Sequence, residues 1–224
     1  MNKLPPVITV DGPSGSGKGT LCLALANKFS WQLLNSGAIY RVIALAVLQY
    51  NIDIKSEKKL VLLADSLNIR FNLIKNKLIV MLEGNDISND ILSEVIGNIA
   101  SLIAKYPKVR KALLIKQRLF RIKPGLIADG RDMGTIVFPD AIAKIFLHAS
   151  LKERALRRMK QLHKNGFNVK LSTIIDDIKK RDDCDRNRLF APLIPAKNAF
   201  ILDSTSLSFE KVIEQVLAYI NKKI

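Results

Sequence analysis

The sequence predicts an α/β fold: a parallel core sheet flanked by helices. Three observations carry this. Short aliphatic, β-branched runs alternate with segments whose apolar residues recur at helical spacing. The first such run, V-I-T-V at 7–10, leads through a glycine-rich loop into a helix. A later run, L-I-A-D at 126–129, ends in an acid followed by glycine, where ligand-bearing loops leave a parallel sheet.

Taken in order, V-I-T-V is a continuous apolar run suited to a strand buried on both faces. Thr20 to Phe29 is the helix behind the loop, with Leu21, Ala24, Leu25 and Lys28 on one side. A helix from Ser36 carries Ile39, Val42, Ile43, Ala46, Val47 and Tyr50, and another spans about Leu60–Leu67. I-R-F-N-L-I, K-N-K and L-I-V-M-L-E-G then read as a β-hairpin inserted between helices, near 69–83. Helical spacing returns at Ile91–Ala104, breaks at Pro107 and resumes to about Phe120. L-I-A-D is the second buried strand and K-I-F-L at 144–147 the third. Ser150 with Glu153 forms a capping box for the next helix. A charged helical stretch follows to 188, then a last strand at 199–203 and a last helix from Ser208.

The chain has 224 residues, 48% of them hydrophobic, enough for one substantial core with insertions. No apolar run approaches the length of a membrane span, and the N-terminus lacks a secretory pattern. Cys22 and Cys184 have neither metal spacing nor a disulfide framework, so a reducing, cytoplasmic setting is expected. The charge is +16, from 36 Lys and Arg against 20 Asp and Glu, and such a field attracts polyanions. Ten of the twelve arginines lie between Arg110 and Arg188, and their planar forks match phosphate oxygens. No basic tail is present and aromatics are only 6%, which argues against a stacking platform for single strands.

Three tracts carry chemistry. The first, D-G-P-S-G-S-G-K-G-T at 11–20, has the form of a phosphate loop. Its glycines let successive N–H groups point at one anion, and the helix N-terminus adds its dipole. Lys18 would follow the β- and γ-phosphates. Gly19 stands where the common form has a hydroxyl, which comes one place later at Thr20. The second, G-L-I-A-D-G-R-D-M-G-T at 125–135, puts Asp129 at a strand end, where an acid organises magnesium directly or through water, with Arg131 and Asp132 in the same crevice. The third, R-D-D-C-D-R-N-R at 181–188, spaces Arg181, Asp185 and Arg188 along one helix face. Spacing alone fits a grip on sugar and phosphate, and equally a solvent-facing ladder of ion pairs. Arg154, Arg157 and Arg158 pose the same alternatives; on a closing segment they would meet transferring phosphates.

G-P-S-G-S-G-K-G-T, N-S-G-A-I-Y-R (35–41), L-I-A-D-G-R-D-M-G-T and R-D-D-C-D-R-N-R together resemble the bacterial cytidylate kinases, within the nucleoside-monophosphate kinases. The likeness runs from about Val7 to Tyr219 and implies a P-loop kinase core formed by one unit, 1–224. It implies a monophosphate-binding insertion at 61–104, containing the hairpin, and a short lid at 152–189. The reaction implied is ATP-dependent phosphorylation of CMP or dCMP, with Mg²⁺. Gly12, Pro13, Ser14, Gly15, Ser16, Gly17, Lys18, Gly19 and Thr20, with Arg157 and Arg158, would hold ATP. Ser36, Arg41 and Arg131 would hold the CMP phosphate, and Ser101, Arg110 and Asp132 would read the cytosine. Arg181, Asp185 and Arg188 would meet sugar and phosphate. Lys18, Arg131, Arg188 and Asp129 would act in catalysis, with no protein metal ligand assigned. Tyr40 and Phe138 are read as packing. The resemblance implies no partner beyond nucleotides: no nucleic acid, no membrane, a monomer.

Two alternatives compete with this reading: another small-substrate P-loop kinase, for UMP or a non-nucleotide alcohol, and a basic nucleic-acid-binding protein. One departure stands out. The family has Asp where this chain has Asn35, which keeps the hydrogen-bonding shape but removes a negative charge expected beside Arg41.

Overall fold

The computed structural model describes residues 4–75, 77–164 and 166–223. Its elements run in the order β1 Val7–Asp11, α1 Lys18–Phe29, β2 Gln32–Asn35, α2 Ser36–Gln49 and α3 Glu57–Ser66. Then come β3 Ile69–Ile74, β4 Lys77–Leu82, β5 Asn85–Asp86, α4 Glu94–Ile103 and α5 Pro107–Leu119. The last part is β6 Leu126–Gly130, β7 Ala143–His148, α6 Leu151–Lys164, α7 Leu171–Arg186, β8 Phe200–Asp203 and α8 Phe209–Asn221.

The core is a five-stranded parallel sheet in the order β2-β6-β1-β7-β8. Both neighbours of β1 are distant in sequence, so β1 to β2 crosses one way and β6 to β7 the other. The crevice beyond the carboxyl end of β1 is where such sheets bind ligands. Strand alternation divides the core. Val7, Leu34, Leu126 and Ala128 pack with α2, α3, α4 and α5, whereas Ile8, Val10, Ile127 and Ile145 pack with α1 and α8. A separate antiparallel sheet, β3-β4-β5, leans on α5 through Phe71 and Phe120, whose rings lie 5.3 Å apart. Helices α6 and α7 form a small satellite core of their own around Ala155, Leu162, Ile174 and Ile178.

Two local points differ from these expectations. The sequence reading missed β2: Q-L-L-N buries only Leu33 and Leu34, too short a pattern to declare a period, yet it pairs with β6 in register. The break expected at Pro107 is there: α4 ends at Ile103, and Pro107 begins α5 at its first turn, where its missing N–H costs nothing. The capping box is half formed. The Glu153 N–H donates to Ser150 Oγ at 3.3 Å, but the Glu153 carboxylate accepts from Arg157 and the Ser150 N–H donates to Thr205 Oγ1.

Candidate active site

The glycine-rich loop turns between β1 and α1. A β-carbon on Gly12, at φ +149°, would collide with the Leu147 carbonyl of β7, so only glycine lets the loop leave the sheet this closely. Gly15, at φ +76°, lies against the Arg154 backbone of α6, where a β-carbon would come within 2.8 Å of the carbonyl oxygen. The Lys18 ammonium is folded back into the loop, donating to Pro13 O at 2.7 Å and Ser16 Oγ at 3.4 Å. It is buried, and that burial together with nearby Arg131 pulls its pKa down to about 8. Asp129, ending the apolar part of β6, stands close by, its carboxyl raised by burial against the opposing pull of Lys18 and Arg131.

Two cavities meet at Lys18 and Asp129. One, of about 740 Å³, runs along Gly15 to Thr20, Arg157 and Arg158. The other, of about 380 Å³, is lined by Ser36, Arg41, Ser101, Arg110, Arg131, Asp132, Arg181, Asp185 and Arg188. Every residue expected to touch the acceptor therefore faces one cavity. Gly12 and Pro13 line neither; they shape the loop, and Ser14 turns toward the smaller cavity.

Within the smaller cavity, Arg110 of α5 pairs with Asp132, donates to Ala104 O and lies over the Tyr40 ring at 5.7 Å. Ser101 Oγ, on the same wall, is buried without a partner. Ser36 Oγ accepts from Gln117 Nε2 at 2.9 Å. Asp185 receives two arginines, Arg131 at 2.7 Å and Arg188, and these hold it well below the usual carboxylate range although burial pushes it up. Arg188 Nε remains buried and unpartnered.

Four expectations change here. Asp185 is gripped by Arg131 and Arg188, not by Arg181, and Arg188 lies beyond the end of α7. Arg181 turns the other way, to Glu94 and Asn98 of α4. Arg154 is no phosphate clamp: it is buried, bound bidentately to Asp182 at 3.1 and 2.6 Å, and it also donates to Ser14 O at 3.0 Å. It ties α7 to the glycine-rich loop. Asn35 faces Asp129 rather than Arg41. Its Nδ2 donates to Asp129 Oδ2 at 3.3 Å while its Oδ1 accepts the Ala38 N–H at 2.9 Å and caps α2. An amide suits that spot because a second carboxylate there would repel Asp129.

Asp11, the last residue of β1, was missed as anything beyond the edge of the loop motif. Its two oxygens accept the Met133 and Gly134 N–H groups, each at 2.8 Å, across the sheet end. Burial pushes this carboxyl up to about 7 against the pull of those two amides. The link fixes the one-turn π-helix Met133–Val137 that follows Asp132, so it spans from the loop to the Arg110 pair. Asp11→Ala leaves two buried amides unpaired and is expected to lower unfolding free energy by about 3 kcal/mol in urea titrations. No local sequence pattern announces such a long-range partner.

A family model described as cytidylate kinase matches residues 8–222. A cytidylate kinase of Proteus mirabilis is 61% identical over 222 residues, 99% of both chains. One from Yersinia pestis is 60% identical over 219 residues, 98% of this chain and 95% of that one. The crystal structure of an uncharacterized protein from Eubacterium ventriosum shares the fold at a TM-score of 0.51 and 10% identity, covering 96% of this chain and 98% of that one. A phosphate loop between two cavities, one walled by arginines, accords with this kinship: the chain belongs to the cytidylate kinase family.

Proposed function

We infer that the protein transfers the γ-phosphoryl group of ATP to the phosphate of CMP or dCMP, giving ADP and CDP or dCDP. The observation that carries this is the meeting of the two cavities at Lys18 and Asp129. The larger one takes ATP along the glycine-rich loop, and the smaller one takes the monophosphate among Ser36, Arg41 and Arg131. An acceptor oxygen attacks the γ-phosphorus in line while the bond to the β–γ bridging oxygen breaks. No covalent intermediate with the protein is needed. Positioning and charge neutralisation do the work, as is usual for this chemistry. Lys18 and Arg131 stand where charge develops, and Arg188 is held beside them by Asp185.

Base choice follows from hydrogen-bond polarity. Cytosine presents an amino donor at N4, which suits the Asp132 carboxylate, and acceptors at O2 and N3, which suit Arg110 and the unpartnered Ser101 Oγ. Uracil would turn an oxygen toward Asp132, and a buried polar mismatch is strongly rejecting. Neither a UMP or alcohol kinase nor a nucleic-acid-binding protein gives a reason for these three groups to share a wall. The segments at 61–104 and 152–189 serve as the monophosphate-binding insertion and the lid, in a cytoplasmic monomer.

The residues also fit magnesium. Asp129 is the carboxylate donor beside the loop, its Oδ2 3.7 Å from where a β-carbon of Gly19 would be. Magnesium keeps most of its waters and binds through few protein oxygens, so such a sparse donor set suits it. When bound, the ion supplies positive charge to the phosphates. ADP release with CMP is expected to need Mg²⁺ and to stop on chelation. Turnover unaffected by excess EDTA would contradict the magnesium assignment, and absence of CDP among the products would contradict the reaction.

A further inference from the structure

Near the acceptor cavity stands one carboxylate that the chemistry above does not use. Glu94 is the first residue of α4, behind the Ser93 cap. Its Oε1 accepts from Arg158 Nε at 2.7 Å, and its Oε2 accepts from Arg181 Nη2. These arginines belong to α6 and α7, so a single carboxylate joins α4 to both helices of the charged segment. Arg41 approaches from α2 and, among the described residues, pairs with no carboxylate, donating to Ile91 O at 2.5 Å and Ser93 O at 3.1 Å. Arg41 and Arg181 crowd over Gly97, where a β-carbon would lie 2.6 and 2.5 Å from their Nη2 atoms. Three guanidinium groups thus surround one acid. Burial, and after it the neighbouring Arg181 and Arg158, pull Arg41 down to about 9, while Glu94 pulls it back up.

Glu94 acts on an incoming phosphate in two opposed ways. It orients Arg158 and Arg181, which favours binding, and it neutralises them and repels the anion, which disfavours it. The anchors decide between these. Arg158 Nη2 also donates to Leu92 O at 2.9 Å, and Arg181 also donates to Asn98 Oδ1 at 3.0 Å and Glu94 O at 3.1 Å. These contacts hold both forks without the carboxylate, so its orienting share is redundant. Its charge is not. One unit of charge removed several ångströms from a phosphate is worth on the order of tenfold in affinity.

We propose that Glu94 is an internal counter-ion that competes with the acceptor phosphate for Arg181, and for Arg158 where that residue lines the smaller cavity as well as the larger, and so holds monophosphate affinity down. The inference rests on the reading that the smaller cavity takes a nucleoside monophosphate. Calorimetric titration of CMP, cytidine and inorganic phosphate into wild type, Glu94→Gln and Glu94→Ala tests it, with thermal melts confirming that each variant is folded. Glu94→Gln and Glu94→Ala are both expected to bind CMP about tenfold more tightly than wild type, with cytidine affinity unchanged. Equal or weaker CMP binding in folded Glu94→Gln overturns the proposal and makes Glu94 an orienting residue. A wild type that does not bind CMP overturns the functional reading instead. The phosphate arm then still decides the role of Glu94, because phosphate affinity must rise in both variants if the carboxylate competes and must not if it orients.

Discussion

Lys18→Ala is expected to lower kcat by about 10³-fold while the protein stays folded. The side chain is buried, its ammonium is satisfied by Pro13 O and Ser16 Oγ, and burial disfavours its charge, so the substitution removes a desolvated cation from the fold. On the proposed function the value of Lys18 lies in the transition state, where negative charge would grow on phosphoryl oxygens at the junction of the two cavities. Proton linkage gives a second, independent readout. The folded-state pKa of Lys18 is about 8 against 10.5 for the free side chain, lowered first by burial and then by Arg131. Between these values the unfolded chain binds the extra proton, so the contribution of Lys18 to stability rises as pH increases through that window. Phosphates arriving beside Lys18 restore the charged form. ATP binding to the wild type at pH near 8.5 should therefore take up protons, seen as a buffer-dependent heat, and Lys18→Ala should lose that component. Near-wild-type turnover in the variant would mean that the loop serves some other purpose.

Asp132→Ala is expected to lower kcat/KM for CMP by about 10²-fold or more, with the KM for ATP changed by no more than about twofold. Asp132 is buried, paired with Arg110 and positioned by the amides that Asp11 holds. Removing it would delete the acceptor proposed for the N4 amino group and leave Arg110, among the described residues, with Ala104 O and the Tyr40 ring. Some stability is lost too, because breaking a buried pair strands a charge. The discriminating quantity is the ratio of CMP to UMP turnover, which partial unfolding leaves untouched. That ratio should collapse in Asp132→Ala. It should shift further toward UMP in Asp132→Asn, whose amide can donate to the uracil oxygen.

Residues that act through local backbone chemistry were legible in the sequence. The glycines and Lys18 announce a loop between strand and helix, and L-I-A-D-G marks a strand delivering an acid to the sheet end. Those features depend on neighbours in the chain. What the sequence hid depends on partners far away. Nothing local tells Arg154, bonded to Asp182 and Ser14, from Arg158, bonded to Glu94, though the two stand four residues apart. Likewise Arg181 and Arg188 share helical spacing with Asp185, yet only Arg188 bonds it, because Arg181 finds Glu94 and Asn98 across the cavity. β2 went unread because two buried leucines state no period; its place is set by pairing with β6. The substitution at Asn35 became intelligible only once its neighbour was seen to be Asp129.

On the proposed function, the Arg110, Asp132 and Ser101 wall selects cytosine for a phosphoryl transfer centred on Lys18. Initial rates of ADP release with CMP, dCMP, UMP and AMP, each at the same subsaturating concentration with ATP and Mg²⁺, test it most directly. CMP and dCMP should exceed UMP and AMP by about 10²-fold or more. A rate with UMP or AMP equal to that with CMP would contradict the account.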